Sequence, residues 1–136
     1  MVTLQTTINS KLGNLDGVRD LVSELEHAHS LPAAVVFDIN VVLDEVLNNI
    51  LKYGYADDAM HEIHLTLSAT DAAVEIGIED DGVAFDPLAI AAPDLSLPLA
   101  ERPIGGLGLH FVRKLMDDVQ YQRKNDRNCL FLKKKL

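Results

Sequence analysis

The stretch VVLDEVLNNILKYGY, residues 41–55, sets polar side chains in the middle of a strongly apolar helix. Val42, Leu43, Val46, Leu47 and Ile50 recur at helical spacing, and Val35 and Ile39 carry the stripe back toward Leu31-Pro32. Proline suits a first helical turn, and Gly54 ends the run. So apolar a helix is expected to be buried over most of its circumference. Glu45 and Asn49 lie one turn apart, so they share a face. Burying such groups without partners costs roughly 2–7 kcal/mol each, so they line a cavity or bond to something. Read alone, the segment fits equally well a helix whose Asn48 and Asn49 cap a neighbouring loop while Glu45 meets solvent.

Toward the N-terminus, Val2, Leu4, Thr6 and Ile8 alternate in a first strand. Asn14 offers a cap to a helix carrying Leu15, Val18, Leu21, Val22 and Leu25. After the long helix, Ile63, Leu65 and Leu67 mark a second strand and Val74, Ile76 and Ile78 a third, joined at Ala69-Thr70-Asp71-Ala72. Leu88 to Pro103 is long for a connection in a compact domain, which marks it as functional or mobile. A helix follows from Leu107 to Met116. Val119 to Arg123 and Cys129 to Lys134 close the chain as a hairpin around Asn125-Asp126-Arg127-Asn128. The order β-α-α-β-β-α-β-β predicts an α+β fold, a two-layer sandwich of helices on one face of a mostly antiparallel sheet.

The composition narrows the function classes. With 136 residues the chain makes one domain, and 48% apolar content excludes general disorder. A formal charge of -9 argues against nucleic acid, which needs a basic stripe. Lys133-Lys134-Lys135 reads as a solvated strand end. The only cysteine, Cys129, reads as a small core residue. There is neither a signal pattern nor an apolar run of membrane-spanning length, so no membrane association and a cytoplasmic location are expected. His27 and His29 diverge on a helix, and His61 and His64 diverge at a strand start. All four read as surface or boundary residues, and His110 as a packing residue.

Two further segments join the helix. Asp80-Asp81-Gly82 follows the third strand, whose alternation turns Asp80 inward, a costly place for a carboxylate without a donor. An adenine amino group is such a donor, and Gly82 lets backbone approach a flat ligand. By itself this is also an ordinary acidic turn. Gly105-Gly106-Leu107-Gly108 opens the third helix, where free amides and the positive dipole end suit oxyanions. Alone this is weak, and it matches neither a P-loop nor a dinucleotide fingerprint. On the helix, an Asn carbonyl suits Mg²⁺ and a Glu can accept a proton from a nucleophile.

With these segments in this order, the chain resembles the GHKL ATPase superfamily with its Bergerat nucleotide fold. It is most similar to bacterial anti-sigma-factor serine kinases. The family's Glu-x-x-x-Asn is matched by Glu45 and Asn49, and the aromatic or basic residue and Gly-Tyr after it by Lys52-Tyr53-Gly54-Tyr55. Its Asp-x-Gly with Phe-Asp-Pro is matched by Asp80, Gly82 and Phe85-Asp86-Pro87, and its Gly-Gly-x-Gly-Leu by Gly105 to Leu109. The likeness continues through Val112 to Asp117. The resemblance implies a single ATP-binding domain over residues 1–136, with a lid at about 88–103. It implies ATP and Mg²⁺ as cofactors. Glu45 would be general base, Asn49 the Mg²⁺ ligand, and Asp80 the partner of the adenine amine. Lys52, Gly82 and Gly105, Gly106, Leu107, Gly108 and Leu109 would complete the nucleotide contacts. Many relatives have a second glycine where Ala84 stands; a methyl group is tolerated there if φ is negative.

The function so implied is a protein serine/threonine kinase of a partner-switching system. Such a kinase binds a sigma factor or similar target and phosphorylates a small antagonist protein. The resemblance allows a homodimer without indicating its surface. The alternative is a nucleotide-dependent partner-binding switch with little or no catalysis. A histidine-kinase catalytic half fits less well, because that class commonly has Asn at the Glu45 position and needs a phosphoacceptor hairpin. Gyrase-like hydrolysis normally comes with further domains.

Overall fold

The computed structural model describes residues 1–11, 15–86 and 106–136, side chains of 106–109 excepted. Five strands, β1 (Val2–Asn9), β2 (Glu62–Ala69), β3 (Ala73–Asp80), β4 (Asp118–Lys124) and β5 (Arg127–Lys135), form one sheet in the order β1-β2-β3-β5-β4. Every neighbouring pair is antiparallel. Three helices, α1 (Asp16–His29), α2 (Ala33–Tyr53) and α3 (Gly106–Leu115), cover one face.

Strand periodicity makes this sheet one-sided. Ile63, Leu65 and Leu67 of β2, Val74, Ile76 and Ile78 of β3, and Leu130 and Leu132 of β5 all point inward. They meet Val18, Val22 and Leu25 of α1 and Ile39, Val42, Leu43, Val46 and Leu47 of α2 in one core. Each fully buried Leu or Ile contributes roughly 1.5–3 kcal/mol over its exposed state.

Element order and the buried stripes are as the sequence predicts, and several details differ. The residue at the α1 N-cap is Leu15, with no side-chain cap; Asn14 lies outside the described residues. Pro32 stands at the α2 N-cap rather than inside the first turn. Most of α2 is buried or half-buried as expected, except that Phe37 is 67% exposed. The final turn is tighter than the composition suggested. Asn125 and Asp126 alone form it, with φ 53° and 60°, the left-handed pair of a type I′ hairpin. Arg127 and Asn128 therefore belong to β5. The added residues put Asn128 on the buried face and Cys129 on the open face, so Cys129 is not a core residue.

Two fixings hold the site's helices. Gly54 closes α2 with its amide on the Ile50 carbonyl at 2.8 Å, and a Cβ there would sit 2.6 Å from that oxygen. Lys134 donates to the Leu115 carbonyl at the end of α3 (2.7 Å) and lies 3.3 Å from Asp38 of α2. A cation at a helix C-terminus complements the dipole. Lys134 thus ties α3 to both α2 and the sheet. No described helix is long and apolar enough to cross a membrane.

Candidate functional site

Asp80 is the last residue of β3 and only 3% exposed. Burial pushes its carboxyl above the usual range, partly offset by bonds from the Asn128 amide and the Gly82 N–H. It lines a pocket between the end of α2 and the sheet. Val46, Ile50, Tyr53, Ile78, Phe85 and Leu130 supply apolar walls, and Asn49 from α2 lines the same space. A mostly apolar cleft with a few convergent polar groups fits a flat, partly polar ligand.

Asn49 donates from Nδ2 to the Glu45 carbonyl at 2.8 Å. Its Oδ1 has no protein partner among the described residues, so a hard oxygen is left available. Glu45 is half-buried one turn earlier and does not line the pocket. Lys52 is exposed and also outside the lining. Gly106, Leu107, Gly108 and Leu109 form the first turn of α3, which packs against α2. Gly105 and the expected lid, 88–103, lie outside the described residues.

The turn after Asp80 is held by backbone. Val83 N–H donates to the Gly54 carbonyl at 2.8 Å, and a Cβ on Gly82 would meet that oxygen at 2.5 Å. The close approach that requires glycine at 82 is thus to the end of α2. Ala84 does not have a positive φ, so its methyl group meets the condition for tolerance.

The profile of the histidine kinase-like ATPase domain matches residues 8–134. The chain belongs to that family. ATP use comes with membership of this ATPase family. Among similar proteins is the serine/threonine-protein kinase BtrW of Bordetella bronchiseptica, 36% identical over 74% of this chain and 70% of that one. The serine-protein kinase RsbW of Bacillus thuringiensis is 30% identical over 71% of this chain. The chain spans 62% of that kinase's length. In fold it is similar to the histidine kinase domain of the blue-light activated histidine kinase from Erythrobacter litoralis EL346. The TM-score is 0.59 at 17% identity, covering 90% of this chain and 59% of that one.

In this ATPase domain the residue that organises the pocket is Asn128, which no motif marks. Asn128 lies opposite Asp80 in the β3–β5 register. Its Nδ2 donates to Asp80 Oδ1 (3.0 Å), Asp80 Oδ2 (3.3 Å) and the Val83 carbonyl (2.8 Å). Its Oδ1 accepts from the Tyr121 hydroxyl (2.5 Å) and the Phe85 N–H (3.2 Å). The carboxamide's donors and acceptors are all used, so its orientation is determined and it binds Asp80 rather than ligand. The signal was present: Asn128, Leu130 and Leu132 share one phase of a strand.

The second such residue is His61. Rather than a plain boundary residue, it bonds Asp57 through Nε2 (2.6 Å) and Asp81 through Nδ1 (3.0 Å). It also stacks on Tyr55 with ring centroids 4.2 Å apart. Only the fold brings Asp81 to it.

Proposed function

We propose that this ATPase domain is an Mg²⁺-dependent protein serine/threonine kinase of a partner-switching system. Its regulatory target would be a sigma factor or similar protein, and its phosphorylation substrate a small antagonist protein. Residues 1–136 act as one ATP-binding domain with 88–103 as its lid. The observation that carries the reading is Asp80, a buried carboxylate at a largely apolar pocket that also takes in Asn49. Kinship with BtrW and RsbW, both named as protein kinases, supports the choice of acceptor.

Asp80 accepts from the adenine amine, and the amides opening α3 face the phosphates. The free Oδ1 of Asn49 fits Mg²⁺, which keeps several waters and shares ligands with phosphates. When bound, that ion neutralises charge on the phosphates. Glu45 takes the proton of the acceptor hydroxyl as its oxygen bonds to the γ-phosphorus. The bond to the β–γ bridging oxygen breaks, and ADP leaves. Positioning supplies most of the rate.

Purified protein, labelled ATP and the cognate antagonist test this. Transfer to a serine or threonine, falling by about 100-fold or more in Glu45→Gln, is expected of a general base. Absence of transfer, with partner binding that depends on nucleotide and survives Glu45→Gln, would establish the non-catalytic switch instead.

A further inference from the structure

We propose that His61, held as an imidazolium between Asp57 and Asp81, is a positioning residue that staples the loop after α2 to the turn carrying Asp80, so that nucleotide affinity follows its protonation. The proposal rests on the ATP-site reading above and adds a means of regulating that site.

The geometry demands two donors. Both ring nitrogens face carboxylate oxygens, at 2.6 Å on Asp57 and 3.0 Å on Asp81. Neutral imidazole has one N–H, so its other nitrogen would turn a lone pair toward a carboxylate. Loss of the proton therefore opens one end of the staple. The carboxylates lie on opposite ring nitrogens and do not converge on a cation; among the described residues no such metal cluster occurs.

The ring is otherwise well fixed. Tyr55 stacks on it with an 8° interplanar angle. The His61 N–H donates to Ser10 Oγ (2.8 Å), and its carbonyl accepts from Ser10 N–H (2.9 Å), anchoring it to the end of β1. The titratable and charged groups around it are Asp57 and Tyr55 from the loop, Asp81, with Asp80 beside it, from the turn, and Arg127 of β5, whose charge acts on Tyr55. Lys11, near the end of β1, bears on Asp57. The bonds to Asp57 and then Asp81 raise the His61 pKa above its ordinary value.

Asp57 and Asp81 are exposed enough that either pair alone would be weak. Their effect comes from place. Asp81 adjoins Asp80, and the same turn is bonded to Gly54 through Val83. Staple and backbone bond together hold the ligand-facing carboxylate against α2.

The staple is complete at low pH and is lost as pH rises through the raised folded-state pKa. ADP affinity, measured by calorimetry for wild type and His61→Gln, is read as a ratio, which cancels the nucleotide's own titration. The ratio should favour wild type by about 5-fold or more near pH 6 and approach one near pH 9. Imidazole NMR on the wild type needs no variant to fold. Saturating ADP should raise the His61 titration midpoint, because coupling is reciprocal. A midpoint that ADP leaves unmoved, or intact ADP binding indifferent to His61 at every pH, overturns this proposal alone. No ADP binding at any pH overturns the ATP-site reading and this proposal with it.

Discussion

Asn128 faces Asp80 across the β3–β5 ladder and donates to both of its carboxylate oxygens, at 3.0 and 3.3 Å. A buried anion is thereby oriented by a neutral amide whose remaining capacity is taken by Val83, Phe85 and Tyr121. The cost of burying Asp80 is reduced chiefly by these neutral donors, with a smaller coulombic contribution from Arg123.

Asn128→Ala should leave several buried groups unpaired at once. Loss of about 2–4 kcal/mol is expected, since each orphaned buried group costs about 1–3 kcal/mol and some will recover water. Urea denaturation measures it. A midpoint unchanged from wild type would show that the network carries no weight.

Asp80→Asn should separate stability from binding. Burial raises the folded-state pKa of Asp80, so the folded protein favours its protonated form. At pH below the unfolded carboxylate value the charge is absent and costs nothing. As pH rises above the unfolded value the penalty grows, and it is complete once pH passes the folded value. The difference in melting temperature between Asn at this position and wild type should therefore shift in the variant's favour between acid and pH 8, on top of a constant loss from turning an amide N–H toward Asn128 Nδ2. ADP affinity should fall roughly 10- to 100-fold, because a hydrogen bond to a charged acceptor is lost. Parallel melting curves and calorimetry check both halves.

Gly82→Ala should disturb the turn through sterics alone. The added methyl would meet the Gly54 carbonyl at 2.5 Å, and neither partner is a flexible side-chain end. Overpacking of this kind costs about 1–3 kcal/mol. Hydrogen exchange at the Val83 amide should accelerate in the variant, and a wild-type rate there would contradict the account.

Much of this was legible beforehand because local patterns report local physics. The α2 stripe announced a helix against a core, and period-two alternation put Ile63, Leu65, Ile76, Ile78 and Asp80 on one face. The β4–β5 turn was less legible. Asn125 to Asn128 are all polar turn formers, and only their φ angles show that two residues suffice. That shift of strand start hid Asn128 and misplaced Cys129.

From the sequence alone came the element order, the inward carboxylate at Asp80 and the family likeness, because periodicity and residue type act along the chain. Tertiary structure alone decided that Asn128 grips Asp80, that Gly82 yields to Gly54, and that His61 bridges Asp57 and Asp81. Those contacts join residues 48, 28 and 20 positions apart, as well as two four apart in a non-helical loop. Hydrogen bonds and steric limits act over a few ångströms of space, and no pattern along the chain encodes which distant residues will share it.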